Sequence, residues 1–559
     1  IRFFTAVAWV LCLGHATVVF GQDSPKPVSN TYFIQNCTLV SRPGVVQPGQ
    51  HVLVRNGLIT ETGPKIKPPF DAQIIKADSM YVYAGFIDAA SNTGIPKTEN
   101  KDRPKATIPG NPPNDVAGIT PDVLASQLYK PADKSVSEMR NAGFTLSHTF
   151  PRGLMLPGQS AVYLLGDGVG DKLLLSDATA QHFQYETQRG VYPSTTIGVM
   201  AKFRDLYKNA QLAGNHEAMY KKAPIGLERP DYSRELQALY PAATGKQPIY
   251  VVAQKTKDVH RSMMLQKELG FQLVLMEVKQ GWHYLNEIKQ ANYAVLLSLE
   301  LPEEEKKEAK KDEVKESKSD APVSSVEKDS FNLRKDLAVR EYVQQAAAFE
   351  RAGIEFGFSF LNTKPGDARK AIGRMIKAGL SEKAALQALT TYPARLLGLA
   401  SVAGTVEKGK MANLVLTDKP LFDEKAVIRM VFVDGKKYLL EMPPAKADKK
   451  PEEKSAIAGK WTYQMEAAGT VRRGTIDIQR KEGQYHIVVT DDSQKDKQEK
   501  ARDISFKDGN LKFHVVTDLE QAGKVEFDLT FKDKQYEGTL SVASFGSFPV
   551  KGEWQGDPE

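Results

Sequence analysis

Between residues 85 and 400 the chain alternates short apolar runs with amphipathic stretches. GFTLSHTF at 143–150, SAVYLLG at 160–166, PIYVVA at 248–253, FQLVLME at 271–277 and YAVLLSL at 293–299 are separated by segments such as MMLQKELG and WHYLNEIKQA. Apolar strands alternating with helical crossovers predict a parallel sheet covered on both faces, and the length of the run favours a closed eight-stranded barrel over an open sheet. Such a barrel presents its chemistry at the C-terminal ends of its strands.

The flanks read differently. Residues 32–84 run YFIQNCTLV, a turn at Pro43-Gly44, then HVLVRNGLITETG with Asn56-Gly57 at a hairpin position, which marks antiparallel strands. The pattern returns as AGTVEKGKMANLVLTD from Ala403 and AVIRMVFVDGKKYLL from Ala426. PPAKADKKPEEKS at 443–455 reads as a linker. After it, residues 456–559 show alternating strands with turns at Glu482-Gly483, Asp508-Gly509 and Asp533-Lys534, the spacing of an antiparallel β-barrel or sandwich. Residues 301–330 carry charges of both signs and little to bury. They read as a flexible insertion, with a solvated charged helix as the alternative for the first half.

A chain of 559 residues holds about three or four domain-sized units. Hydrophobic residues at 41% and charged ones at 26% exclude a disordered chain and a membrane protein. The charge of +7 has no basic cluster interleaved with aromatics behind it, which argues against nucleic acid as a partner. Arg2, the apolar run Phe3 to Leu13 and the small residues up to Gly21 have the pattern of a secretory signal peptide over 1–21. The expected product is an exported, soluble protein, periplasmic or extracellular. With Cys12 inside that segment, Cys37 has no partner for an internal disulfide. No later stretch reaches the ~18–20 apolar residues that span a bilayer.

At 81–95, YVYAGFIDAASNTGI ends an apolar strand on Gly85-Phe86-Ile87-Asp88. This resembles the opening of the barrel in the amidohydrolase superfamily, where Pro-Gly-[Phe/Leu]-Ile-Asp-x-His-x-His stands. GTVEKGKMANLVL also resembles that family, although Ala412-Asn413 takes the place of its more usual Ala-Asp. So does DARKAIGRMIKAGLSEKAALQALTTYPARLLGL, with its Gly-Leu-Ser step and A-L-x-x-x-T-x-x-P-A ending. The resemblance spans most of 32–442 and points to the imidazolonepropionase-like branch. It implies an α/β fold with a (β/α)8 TIM-like barrel over 85–401. A small composite β-sandwich is implied from residues 22–84 and 402–442, which the chain starts, leaves and completes. Gly459-Lys460-Trp461 and Gly552-Glu553-Trp554 give the C-terminal unit a lipocalin-like look.

The resemblance also implies zinc, held by the H-x-H, by a carboxylated lysine after the fourth strand, by histidines after the fifth and sixth, and by an aspartate after the eighth. Here the H-x-H positions are Ala90 and Asn92. The later ones fall on Gln254, Val278 and Ser359, and the lysine place on Leu164. Zinc sites are built from His, Cys and carboxylates, so no cofactor is expected. Apolar fillers avoid the cost of burying ligands left unpaired. His148, Arg152 and Glu277 are the candidates for a rebuilt acid, base and cation set, although a lone strand histidine is more often a hydrogen-bonded core residue. By family the chain would hydrolyse carbon–nitrogen bonds in cyclic amides or dipeptide-like substrates. By its own residues it reads as a non-catalytic partner of an active amidohydrolase paralogue, or as a ligand-binding barrel for a small molecule. One alternative is an active amidohydrolase with a metal-free or unrecognised site. The other is binding of a small molecule or partner by the C-terminal β-barrel.

Overall fold

The computed structural model describes residues 30–97, 108–303, 325–440, 457–467, 470–481, 484–494, 497–507, 509–517, 523–542 and 546–556. The segments expected to be a signal peptide and a linker, 1–21 and 443–455, lie outside these residues, as does 304–324. The end of the expected insertion is helical: a helix begins at Ser325. The chain divides into two compact units, 1–441 and 442–559.

In the first unit, β1 (Thr31–Arg42), β2 (Val45–Arg55), β3 (Leu58–Gly63), β4 (Gln73–Lys76) and β5 (Tyr81–Ala84) form a sheet. One residue after β5 the chain enters the barrel through β6 (Phe86–Ser91). The hinge is Gly85, where a Cβ would lie 2.3 Å from Thr145 Oγ1, so only glycine permits the approach. Then follow α1 (Ala125–Leu128), α2 (Lys134–Asn141), β7 (Phe144–Thr149), β8 (Gly158–Gln159), β9 (Ala161–Leu164), α3 (Gly170–Leu173), β10 (Leu174–Ser176) and β11 (Gln181–Phe183). Next come α4 (Thr196–Lys222), α5 (Arg234–Ala243), β12 (Ile249–Val252), α6 (Thr256–Leu269), β13 (Leu273–Val278), α7 (Leu285–Ala291), β14 (Ala294–Ser298), α8 (Ser325–Arg351) and β15 (Gly357–Ser359). After α9 (Pro365–Lys377), α10 (Glu382–Leu389) and α11 (Thr391–Leu396), strands β16 (Leu414–Thr417), β17 (Ile428–Val433) and β18 (Lys436–Leu439) return to the first sheet. β16 pairs antiparallel with β5, Leu414 opposite Ala84, so one sheet is built from both ends of the unit.

β6 and β7 are parallel, as are β11 through β15 in order. Phe360 N donates to Ala90 O at 2.8 Å and closes the ring between β15 and β6. The barrel departs from the all-parallel expectation at its third strand. β8 and β9, a single run broken at Ser160, are antiparallel to β11 and β7 respectively. The cause is the short Pro151–Pro157 connection, which turns the chain straight back where a parallel strand would need a crossover of a dozen or more residues. Helix ends follow local chemistry. Asp133, Thr195, Ser233 and Ser381 cap α2, α4, α5 and α10 with side-chain oxygens, and α6 stops at Gly270 with φ 78°.

Two apolar layers result. Strand faces turned outward pack with Phe203, Met263, Phe349 and Met375 of the helices. Inside the barrel Ala90, Phe150, Tyr250, Val252, Met276 and Leu296 form a separate cluster. Among the described residues no helix is long and apolar enough to cross a membrane.

Among the described residues the second unit holds nine antiparallel strands, β19 (Gly459–Ala467), β20 (Thr470–Lys481), β21 (Gln484–Asp491), β22 (Gln498–Lys500), β23 (Arg502–Lys507), β24 (Asn510–Thr517), β25 (Gly523–Lys532), β26 (Gln535–Val542) and β27 (Gly546–Gly556). Neighbours in sequence pair except β22 and β23, and β27 pairs with β19. The result is a nearly closed barrel, its interior filled by residues such as Trp461, Tyr463, Phe513, Phe527 and Tyr536.

Candidate functional site

The mouth of the barrel starts at β6, all of whose residues are buried. Asp88 accepts hydrogen bonds from Ser91 Oγ at 2.5 Å, Ser147 Oγ at 2.6 Å and the Ala90 amide at 3.1 Å. Burial pushes its carboxyl up to about 6, against the pull of these donors. Ala90 belongs to the interior apolar cluster. Asn92 Nδ2 donates to Phe150 O at 2.9 Å, and its Oδ1 accepts from Arg152 Nη1 at 3.2 Å. Arg152 Nε donates to Ile95 O at 3.1 Å. Both ends of the Asn92 amide are thus committed to holding the loop after β7.

His148, on β7, is fully enclosed. A carbonyl oxygen only accepts, so the 3.0 Å contact with Ala89 O assigns the proton to Nδ1. The lone pair of Nε2 then faces the hydroxyls of Ser160, at 2.7 Å, and Thr179, at 2.9 Å, and accepts from one of them. Desolvation, assisted by the neighbouring His182, lowers the ring to about 4. It is a neutral, satisfied core histidine. No hydrogen bond or ion pair joins His148, Arg152 and Glu277 among the described residues, so the rebuilt acid, base and cation set does not assemble. The reason is spatial: His148 bonds to residues 89, 160 and 179, Arg152 to the loop after β6, and Glu277 to β14 and β15.

Leu164, matched to the lysine place, lies on the antiparallel strand opposite Leu146 and packs in the outer layer. The fourth position around the ring is β11, where His182 sits, a residue the sequence reading passed over. His182 is 2% exposed, and among the described residues neither ring nitrogen makes a hydrogen bond of good geometry. Burial lowers it to about 4, and the Pro151 carbonyl offsets part of that without closing a bond.

β13 carries an irregular backbone. Pairing with β14 slips between Leu275 and Val278, and Glu277 has φ 58°. A bulge of this kind re-aims side chains and recurs beside functional sites. Here it replaces the expected Val278, which packs in the outer layer near Phe349 and Gly281, with Glu277. The buried carboxylate accepts from Ser298 Oγ at 2.5 Å and from Ser359 Oγ at 2.6 Å. Its pKa is raised by burial, with the two serines pulling the other way.

Gln254, an expected ligand position, opens on a cavity. A pocket of about 670 Å³ lies at the ends of β11, β12 and β13, lined by Gln184, Glu186, Val252, Lys255, Lys257 and Arg261 among others. Set against the donors that zinc requires, the mouth does not fit. Ala90 has none, Asn92 is engaged, Gln254 is a neutral amide, and the Ser359 hydroxyl faces a carboxylate. Among the described residues no three His, Cys, Asp or Glu side chains converge on one point.

Comparison with known proteins bears on this geometry. Residues 297–438 match the model of the amidohydrolase family. The chain is 23% identical over 413 residues to a dihydroorotase of Anaeromyxobacter dehalogenans, covering 70% of this chain and 89% of that enzyme. An amidohydrolase structure from Thermotoga maritima superposes with a TM-score of 0.59 at 21% identity, covering 73% of this chain and all of that one. Residues 297–438 thus resemble the amidohydrolase family in sequence, and the barrel with its composite sheet has the fold of a solved amidohydrolase.

Proposed function

We propose that this chain is an exported, metal-free amidohydrolase of the imidazolonepropionase-like branch that binds a small molecule or an active paralogue instead of hydrolysing a substrate. The observation that carries the reading is the Ser298–Glu277–Ser359 bridge. The strand end that would offer an aspartate to metal offers a hydroxyl, and that hydroxyl is bound to the Glu277 carboxylate. Asn92 is likewise committed to Phe150 and Arg152. Asn92, Glu277, Ser298 and Ser359 thus make their bonds within the protein, while Phe150, Tyr250 and Met276 fill the space beneath.

The bulge and the raised pKa of Glu277 favour a second reading, a metal-free hydrolase with that residue as general acid. Its burial weighs against this, because Glu277 and Ser359 are both 0% exposed and a catalytic acid must reach a substrate atom. Binding inside the C-terminal barrel is disfavoured by the aromatic filling of its interior. The test is turnover of cyclic amides and dipeptides with and without added zinc. No turnover in either condition is expected, and zinc-dependent turnover overturns the reading.

A further inference from the structure

The pocket beside Gln254 has features that the metal-free mouth does not use. It lies at the C-terminal ends of strands, where barrels of this kind bind ligands. Arg261 is neutralised by Asp258 at 2.8 Å. Lys255 and Lys257, both exposed, have no carboxylate partner among the described residues. On the inner wall, Gln184 is 7% exposed and donates Nε2 to Gly153 O at 2.5 Å, while its Oε1 has no protein donor among the described residues. Register places His182 opposite Tyr250, two residue pairs below the Gln184 and Val252 of that wall and outside the lining of the pocket. The Gln184 oxygen, on the lining of the pocket and without a protein donor among the described residues, is left for water or a ligand to bond.

Resting on the reading of a non-catalytic, ligand-binding barrel, we propose that this side pocket is its ligand site and takes a small organic oxyanion. Lys255 and Lys257 hold the anionic head. Glu186 and the free oxygen of Gln184 are acceptors, so they favour a ligand that also carries a hydroxyl or amine donor. Glu186 also disfavours a highly charged anion.

Ligand-detected NMR on the full chain tests this with two probes, lactate as a hydroxycarboxylate and inorganic phosphate as the bare oxyanion. Lactate is expected to broaden on adding wild-type protein. In the double variant Lys255→Gln/Lys257→Gln at least a fivefold weaker effect is expected, with an unchanged melting temperature showing that the fold is intact. Lys246→Gln, at the other end of β12, should behave as wild type. Displacement of lactate by phosphate places lactate at the oxyanion head and supports the site, whereas binding of phosphate without any effect on lactate overturns the assignment of an organic oxyanion with a donor. Absence of an effect with both probes, or equal broadening in the double variant, overturns it. That failure is separable from failure of the metal-free reading, which shows as bound zinc or zinc-dependent turnover whatever the NMR result.

Discussion

The residues that were hardest to foresee are those whose roles depend on backbone detail. Ala90, Asn92, Gln254 and Ser359 were legible from one motif and the strand count. Glu277 lay in the apolar run LVLMEVKQG, where only the bulge decides that it, and not Val278, faces Ser298 and Ser359. His182 sits on a strand of three residues, too short for alternation to announce.

Two predictions belong at this scale. Ser359→Asp places a second carboxylate beside Glu277. It should cost about 2–4 kcal/mol at neutral pH from like charges in a buried site, less at acid pH, with no recovery on adding zinc, as read by urea unfolding. Stabilisation by zinc would show that the position still serves a metal.

The second concerns the histidines. His148 and His182 both fall from 6.5 to about 4 in the fold, so the folded state prefers them neutral. Their stabilising contribution is complete above pH 6.5 and is lost as pH falls towards 4, by roughly 3 kcal/mol per ring. Asp88 works in the opposite sense. Its raised pKa makes the fold more stable with the proton bound, an advantage lost as pH rises from 3.8 to about 6. His182→Phe removes two unpartnered nitrogens and one titration. It should be neutral or stabilising at pH 7 and less sensitive to acid between pH 6.5 and 4.5. An unchanged pH dependence would mean that His182 is already protonated or hydrated in the fold.

Among the elements, the alternation of apolar runs and amphipathic segments was enough to read the barrel, and Asn56-Gly57 and Pro43-Gly44 enough to read the hairpins. The reversal of β8 and β9 was not read, because SAVYLLG has the same composition whichever way it runs. The signal lay instead in the shortness of the Pro-bounded link before it. The core formed by the parallel strands sets the next expectation. Ala90→His/Asn92→His inserts one imidazole into the packed cluster of Phe150 and Tyr250 and breaks the bonds of Asn92 to Phe150 and Arg152. The pair should be less stable by about 1–3 kcal/mol and gain no hydrolase activity. A zinc-dependent rise in melting temperature would count against the account.

For the whole molecule, the division into a barrel-bearing unit and a separate β unit follows from two independent cores. Residues 457–556 bury Trp461, Phe513, Phe527 and Tyr536 in a cluster of their own, so a fragment of residues 456–559 should fold alone with a cooperative thermal transition in circular dichroism. A fragment without such a transition would contradict the division. The central claim, that a barrel of amidohydrolase fold carries internal hydrogen bonds and apolar filling where a metal centre would stand, is tested most directly by elemental analysis of the desalted full chain. Zinc and other transition metals far below one per chain are predicted, and about one tightly held transition metal per chain would contradict the account.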